Sequence, residues 1–366
     1  MSYEYIYDAW LARMVTIPCD ARHYLVSLYG SPKAVYEAPE ADLKQSFAQH
    51  RVFSRRSQTL AEILKKDLSA AERNLNEAAR FGAKLISYYE PEGDYPEHLR
   101  MIADAPLLLF CKGDIDIIKK PGISIVGTRR CSPYGRWIAG ECGKTAAKLG
   151  LAVISGMAEG IDAAAHKGCL NVDGKTAAVF GTGLDVCFPV SNTTLYGEII
   201  ENGLIISEYD FGSGGLAQFF PLRNRIISGL SSKMIVVEGG LKSGSLISAG
   251  LAAEQDREVI AVPGNINQPG SRGVNQLIAD GATPLTSLDD LPRLLGFSES
   301  RRKAETVKAL SSDESKLYRL INEAPGCGPD YLQLHSGLEI SVVSTLLISL
   351  ELKKLIRRSG ACCYAE

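Results

Sequence analysis

The run Ile123-Ser124-Ile125-Val126-Gly127-Thr128-Arg129-Arg130 decides how the chain is read. A short apolar stretch rich in β-branched residues stops at a glycine, and a small, basic loop follows. An apolar run of that length between turn signals suits a strand buried on both faces. The unit recurs at Ala152 to Ile154, Thr176 to Phe180, Leu204 to Ser207, Met234 to Val237 and Glu258 to Val262, with helical segments between. Strands alternating with helices imply an α/β fold, a doubly wound and mostly parallel sheet covered on both faces.

In such sheets the ligand lies beyond the carboxyl ends of the strands. Gly127, Gly156 (after Ser155), Gly181, Gly239 and Gly264 each follow a strand, and glycines there let backbone N–H groups approach a ligand closely. The same loops carry Thr128-Arg129-Arg130 and Lys242-Ser243-Gly244-Ser245, so the edge is glycine-lined and basic, which suits phosphates. A second basic stretch, Phe219-Phe220-Pro221-Leu222-Arg223-Asn224-Arg225-Ile226-Ile227, reads as a helix opening at Pro221 with two arginines in its first turn. Cations there oppose the helix dipole and call for an anion: an internal partner such as Glu208 or Asp210, or a ligand phosphate. Arg223 and Arg225 do not share a helix face, so at most one of them points at a ligand.

The 366 residues exceed one ordinary domain, and a net charge of −2 means that a polyanion must be met by a local patch. Nine scattered cysteines show no CxxC pair and no histidine at metal-ligand spacing, which suits a reducing compartment and no metal site. The start lacks a basic region followed by an apolar run, no stretch is long enough to span a bilayer, and the expected location is cytoplasmic. Residues 1–88 read as a helical domain. Within it, Val52 to Phe81 forms one amphipathic pattern whose Arg55-Arg56 and Lys65-Lys66 pairs lie on a solvated face. Residues 89–296 hold the sheet, and residues 297–312, with Arg301-Arg302-Lys303, form a linker. Residues 313–366 show three helical patterns and a hairpin, the order of a winged helix. The helix at the recognition position, Ser341-Val342-Val343-Ser344-Thr345, lacks base-reading side chains, which favours a protein contact or weak DNA contact.

Several chemistries fail on spacing. Gly174-Lys175-Thr176 has Cys169 where a P-loop needs glycine and precedes a strand. Gly143-Lys144-Thr145 has Ile138 at that place. The first strand exit is not GxGxxG, and Ser155-Gly156-Met157-Ala158 is not a nucleophile elbow. His166 reads as a hydrogen-bonded structural histidine, with a general base as the other reading; Asp185 and Glu238 read as loop-orienting acids.

Taken together these residues resemble the DNA-processing protein A family, also called Smf. The resemblance rests on Tyr95-Pro96 with Leu99, Asp104, Pro106 and Gly113, Val126 to Arg129, Ser155 to Asp162 with Ala165-His166, Gly181 to Val186 with Pro189 and Asn192, Phe220 to Ile227, Lys242 to Leu246 and Val262-Pro263-Gly264. It is dense from about residue 90 to 285. It implies a Rossmann-like domain flanked by an N-terminal SAM-like or helix-hairpin-helix-like domain and a C-terminal winged helix. It further implies a non-enzymatic protein without cofactor that binds single-stranded DNA, forms a homodimer through the Rossmann-like domain and loads the RecA recombinase during natural transformation. The candidate DNA-binding residues are Gly127, Thr128, Arg129, Arg130, Ser155, Gly156, Phe219, Phe220, Arg223, Asn224, Arg225, Lys242, Ser243 and Gly244, with the phenylalanines as either stacking surfaces or core. Two other readings stand beside it. One is a nucleotide phosphoribohydrolase of a related Rossmann-like type, against which Glu238-Gly239-Gly240-Leu241-Lys242 lacks the catalytic acid one turn into the next helix. The other is a protein-interaction scaffold.

Overall fold

The computed structural model describes residues 4–14, 17–49, 57–297, 307, 309–353, 355–360 and 362–365. The pairs Arg55-Arg56 and the run Arg301-Arg302-Lys303, with most of the expected linker, lie outside these. The chain divides into two compact units, Met1–Leu291 and Pro292–Glu366.

The first unit is built on a nine-stranded sheet in the order β1-β2-β6-β5-β4-β3-β7-β8-β9. Its strands are β1 (Lys84–Ser87), β2 (Leu108–Gly113), β3 (Gly122–Val126), β4 (Val153–Ser155), β5 (Thr176–Val179), β6 (Leu204–Ser207), β7 (Ser231–Val236), β8 (Glu258–Ala261) and β9 (Thr283–Pro284). From β6 to β9 neighbouring strands are parallel, and β2 and β1 add antiparallel at one edge. The expected boundary after residue 88 therefore falls just beyond a strand of the sheet. Strand order reverses between β3 and β7: β4, β5 and β6 run out on one side, β8 and β9 on the other. A crevice opens where the flanking connections diverge.

Both faces are buried, as continuous apolar strands require. Along β2, Leu108 and Phe110 join one core, and Leu109 and Cys111 join the other. The first core is completed by the N-terminal helices α1 (Tyr5–Ala12), α2 (Cys19–Tyr29), α3 (Pro32–Glu37), α4 (Glu40–Gln49), α5 (Ser57–Leu64) and α6 (Ser69–Phe81), which bring Trp10, Leu11, Leu25 and Ile63. The single amphipathic run expected from Val52 to Phe81 is broken between α5 and α6, where Lys66 sits at positive φ and donates to the Ala38 carbonyl at 2.6 Å. Polar ties run from these helices to the sheet: Ser87 donates to Asp8 at 2.5 Å, Asn74 donates to Asp210 at 2.7 Å, and Arg13 pairs with Asp210. The second core is closed by α7 (Glu97–Arg100), whose Leu99 is fully buried.

Helices α8 (Pro133–Lys148) and α9 (Ile161–Leu170) follow β3 and β4 and pack backbone to backbone. Glycine makes this possible: a Cβ on Gly168 would lie 2.1 Å from the Gly140 carbonyl oxygen, and one on Gly143 would lie 2.3 Å from that of Ala165. Of the remaining helices, α10 (Thr193–Asn202) packs into the first core, and α11 (Phe219–Gly229), α12 (Gly244–Glu254) and α13 (Arg272–Ala279) pack into the second.

In the second unit, helices Ser312–Glu323, Pro329–Ser336 and Ile340–Leu352 precede a hairpin of Ile356–Ser359 and Cys362–Ala365, a winged helix. Leu317, Ile321, Leu332, Val343, Leu347 and Leu350 form its core. Among the described residues no single helix is long and apolar enough to cross a membrane.

Gly168→Ala is expected to lower stability by about 1–3 kcal/mol, because the added methyl meets backbone that cannot yield. Gly250→Ala, on α12 with open space around it, should raise it by up to about 1 kcal/mol. Thermal melts of the two variants side by side check the contrast.

Candidate nucleic-acid interface

A cavity of about 660 Å³ opens at the crevice between β3 and β7. Its walls are the β3 exit (Val126 to Arg130), Ala158 and Asp162 after β4, Phe188, the α11 residues Phe220, Pro221, Arg223 and Asn224, and Ser243 to Ser245 at the start of α12. Thus Gly127, Thr128, Arg129, Arg130, Phe220, Arg223, Asn224, Ser243 and Gly244 come together as one lining. Gly156 lines a smaller recess beside it, again with Arg129, Phe220 and Arg223.

The others lie apart. Ser155 is fully buried and donates to the Ile125 carbonyl at 2.6 Å, within the sheet. Phe219 stacks on Tyr209 at 4.3 Å between centroids and faces away from the cavity lining. Lys242 is exposed one residue beyond the lining. Arg225 is spent internally: its guanidinium makes a two-pronged pair with Glu208 at 2.6 and 2.7 Å, and its Nε lies 3.1 Å from an Asp104 carboxylate oxygen. The expected helix start also shifts. α11 opens at Phe219, before Pro221, so both arginines lie in its second turn, where the dipole weighs little. What holds Arg225 is the internal acid Glu208.

Arg223 is 4% exposed, with no carboxylate in ion-pair range among the described residues. Its guanidinium donates to the carbonyls of Gly156, at 2.9 Å, and Val179. It thereby ties the exits of β4 and β5 to α11. Gly156 is required there, since a Cβ would meet the guanidinium at 2.7 Å. Burial pulls the Arg223 pKa down to about 10, offset in part by the field of Asp162. Burial conversely pushes the Asp162 carboxyl up to about 6, opposed by Arg223 and by N–H groups of Ala158, Gly156 and Gly127. Asp162 holds the loop in which Met157 is kept at a φ of 60°, a backbone strain that surrounding structure must over-determine.

Phe220 is half-buried and packs on Phe188 at 5.2 Å, while the Arg129 guanidinium lies 5.3 Å over its ring. Gly181 lets it sit close, because a Cβ there would be 2.8 Å from the ring. Arg129 and Arg130 are exposed and have no carboxylate in ion-pair range among the described residues. Sequence reasoning missed Phe188, an aromatic in an irregular loop with no periodicity to mark it. At the start of α12, Ser243 caps the helix, and unpaired N–H groups there suit an anion.

The remaining acids and His166 are structural. Glu238 accepts from the Ser132 N–H and hydroxyl at 3.0 and 3.1 Å, and Asp185 accepts from the Gly212 N–H at 2.9 Å. His166 is fully buried with Nδ1 2.6 Å from the Thr176 hydroxyl. That hydroxyl donates to the Val153 carbonyl at 2.7 Å, so it accepts from Nδ1–H, and burial pulls the imidazole down to about 3.

The sequence model of the family described as DNA recombination-mediator protein A matches residues 84–296. The chain belongs to that family. A second, the DprA winged helix domain, matches residues 301–361. The DNA processing protein DprA of Streptococcus pneumoniae is 45% identical over 199 residues, 54% of this chain and 70% of that protein. Protein Smf of Escherichia coli is 42% identical over 205 residues, 56% of this chain and 54% of its own length, so the match spans about half of that protein. Among solved structures, DprA of S. pneumoniae superposes with a TM-score of 0.67 at 32% identity, over 81% of this chain and 99% of that one. DNA processing protein A of Helicobacter pylori, whose structure is described for its single-stranded DNA binding mode, gives 0.52 at 32% identity over 55% and 93%.

Two outcomes follow from the buried charges. The folded pKa of Asp162, about 6, lies above its ordinary 3.8, so the native state binds more protons and stability falls as pH rises between these values. Asp162→Asn removes that slope: relative to wild type, the variant should gain roughly 2 kcal/mol between about pH 4 and about pH 6.5, read from urea midpoints. Arg225→Ala strands Glu208 and should cost about 3–5 kcal/mol of stability, while folded variant below its melting point keeps wild-type ligand affinity.

Proposed function

We propose that this protein binds single-stranded DNA in the β3–β7 cavity and acts as a recombination mediator that loads the RecA recombinase during natural transformation. The observation that carries the binding reading is the Arg129 guanidinium 5.3 Å over the Phe220 ring at an open cavity. Strand binding without sequence preference needs cations for the backbone and an aromatic face for bases, and both meet at that point. Arg130, Arg223 and the start of α12 add further positive potential. Phosphates would run along Arg129 and Arg130, and Phe220, backed by Phe188, offers the stacking surface. The RecA role and a homodimer through the Rossmann-like domain rest on family membership.

A phosphoribohydrolase reading needs a catalytic acid facing the cavity. Among the described residues Asp162 is the only carboxylate of the cavity lining and accepts from the Gly156 N–H at 3.2 Å, and Glu159 in the adjoining recess accepts from the Ser191 hydroxyl at 2.5 Å. Release of free base from nucleoside monophosphates would favour that reading.

Anisotropy of labelled oligo-dT and of duplex of equal length, at two salt concentrations, tests the proposal. Wild type is expected to prefer the single strand. Arg129→Glu with Arg130→Glu should weaken binding at least about tenfold and flatten the log–log salt slope by about 0.7 per lost phosphate contact. Unchanged affinity in the folded variant would move DNA binding elsewhere and refute the cavity assignment.

A further inference from the structure

The segment that leaves the cavity carries a second pair of aromatics that the binding reading does not use. Helix α8 is capped by Ser132, with Pro133 in its first turn. Its inward positions are Gly135, Ile138, Ala139 and Cys142, spaced three and four apart. At Gly135 the helix presses so closely that a Cβ would lie 2.1 Å from a Glu238 carboxylate oxygen. That register fixes Tyr134 and Trp137 on the outer face, 54% and 55% exposed, with ring centroids 6.3 Å apart. Two large rings on a rigid helix are thus left about half in water.

Around them cations outnumber acids, with Glu238 held by Ser132 and Glu141 by Lys144. Arg130 before them and Arg136 between them are exposed, with no carboxylate in ion-pair range among the described residues. Trp137 and Arg136 also border a groove of about 470 Å³ against α9 that contains the exposed Lys167 and one acid, Glu141, which is paired with Lys144 at 3.4 Å. The chain from Arg129 to Tyr134 reaches at most about 18 Å, so the pair lies within a short oligonucleotide of the Phe220 platform.

Resting on the proposed DNA binding, we infer that Tyr134 and Trp137 form a second base-stacking subsite, which receives the strand after it passes Arg129 and Arg130. The aromatic faces take bases and Arg130 and Arg136 take the intervening phosphates, the combination that sequence-tolerant single-strand binding uses. A second copy of this chain is the competing occupant. The mixture of half-exposed rings with unpaired arginines favours a polyanion, because like cations brought face to face would repel.

The chain itself carries the probe. It has two tryptophans, Trp137 and the buried Trp10, which is 4% exposed. Titration with a dT oligonucleotide of about 15 residues should quench the Trp137 emission. A dT trimer, spanning about 10 Å at the stacked rise, should leave it bright at concentrations that compete labelled oligo-dT from the cavity. An abasic strand of the longer length should bind without quenching. Trp137→Ala should abolish the quench and weaken the long strand at least about fivefold while trimer competition is unchanged; Trp137→Phe should restore most of that affinity. Long-strand binding with an unquenched Trp137 would overturn the subsite and leave the cavity reading standing. Quenching by the abasic strand, or quenching that tracks protein concentration without DNA, would also overturn it and assign the face to a protein contact. Loss of all strand binding by wild type would instead refute the cavity reading itself.

Discussion

A buried guanidinium holds the cavity together. Arg223 is withdrawn from water and donates to carbonyls at the ends of β4 and β5, with the nearest counter-field coming from Asp162. Carbonyl dipoles solvate the cation without neutralising it, so positive potential survives at the cavity floor where dielectric screening is weak. The Gly156 turn, the strained Met157 and the Asp162 carboxyl all lie around that one group. The loops keep their shape because the charge needs its carbonyls, and the charge stays buried because the loops are closed.

Arg225, on the same helix, shows the opposite solution. Its charge is cancelled by Glu208 and supplemented by Asp104, and it anchors α11 to the segment before β2. One helix thus carries one arginine whose charge is retained for the cavity and one whose charge is consumed by the fold. The two-residue offset is what lets them diverge.

That division marks the limit of what the sequence could convey. The parallel sheet was legible because each strand is a continuous apolar run ending at a glycine, and the order of elements left few topologies. The crevice position followed, and with it Gly127 to Arg130 and Ser243-Gly244. The individual side chains did not follow, because Ser155, Phe219 and Arg225 are of the same residue types as their neighbours in the lining. Only the pleat of β4 and the exact start of α11 decide which way they face, and helix starts are read poorly when Pro221 offers a more obvious first turn than Phe219. Phe188 was invisible for another reason: it lies in an irregular loop and gains its role through Phe220, more than thirty residues away in sequence.

The shared core of the N-terminal helices and the sheet bears on how the chain matures. Trp10 and Leu11 share one core with Phe110 and Ile205, and Arg13 and Asn74 meet at Asp210. During synthesis from the N-terminus these helices emerge long before the surfaces that cover them, and long-range closures of this kind are slow. The first eighty or so residues must wait, partly uncovered, for β2 and β6. A shortened chain beginning at β1 would present the matching sheet face to water, and its handling in solution would be governed by that exposed face before any question of ligand arose.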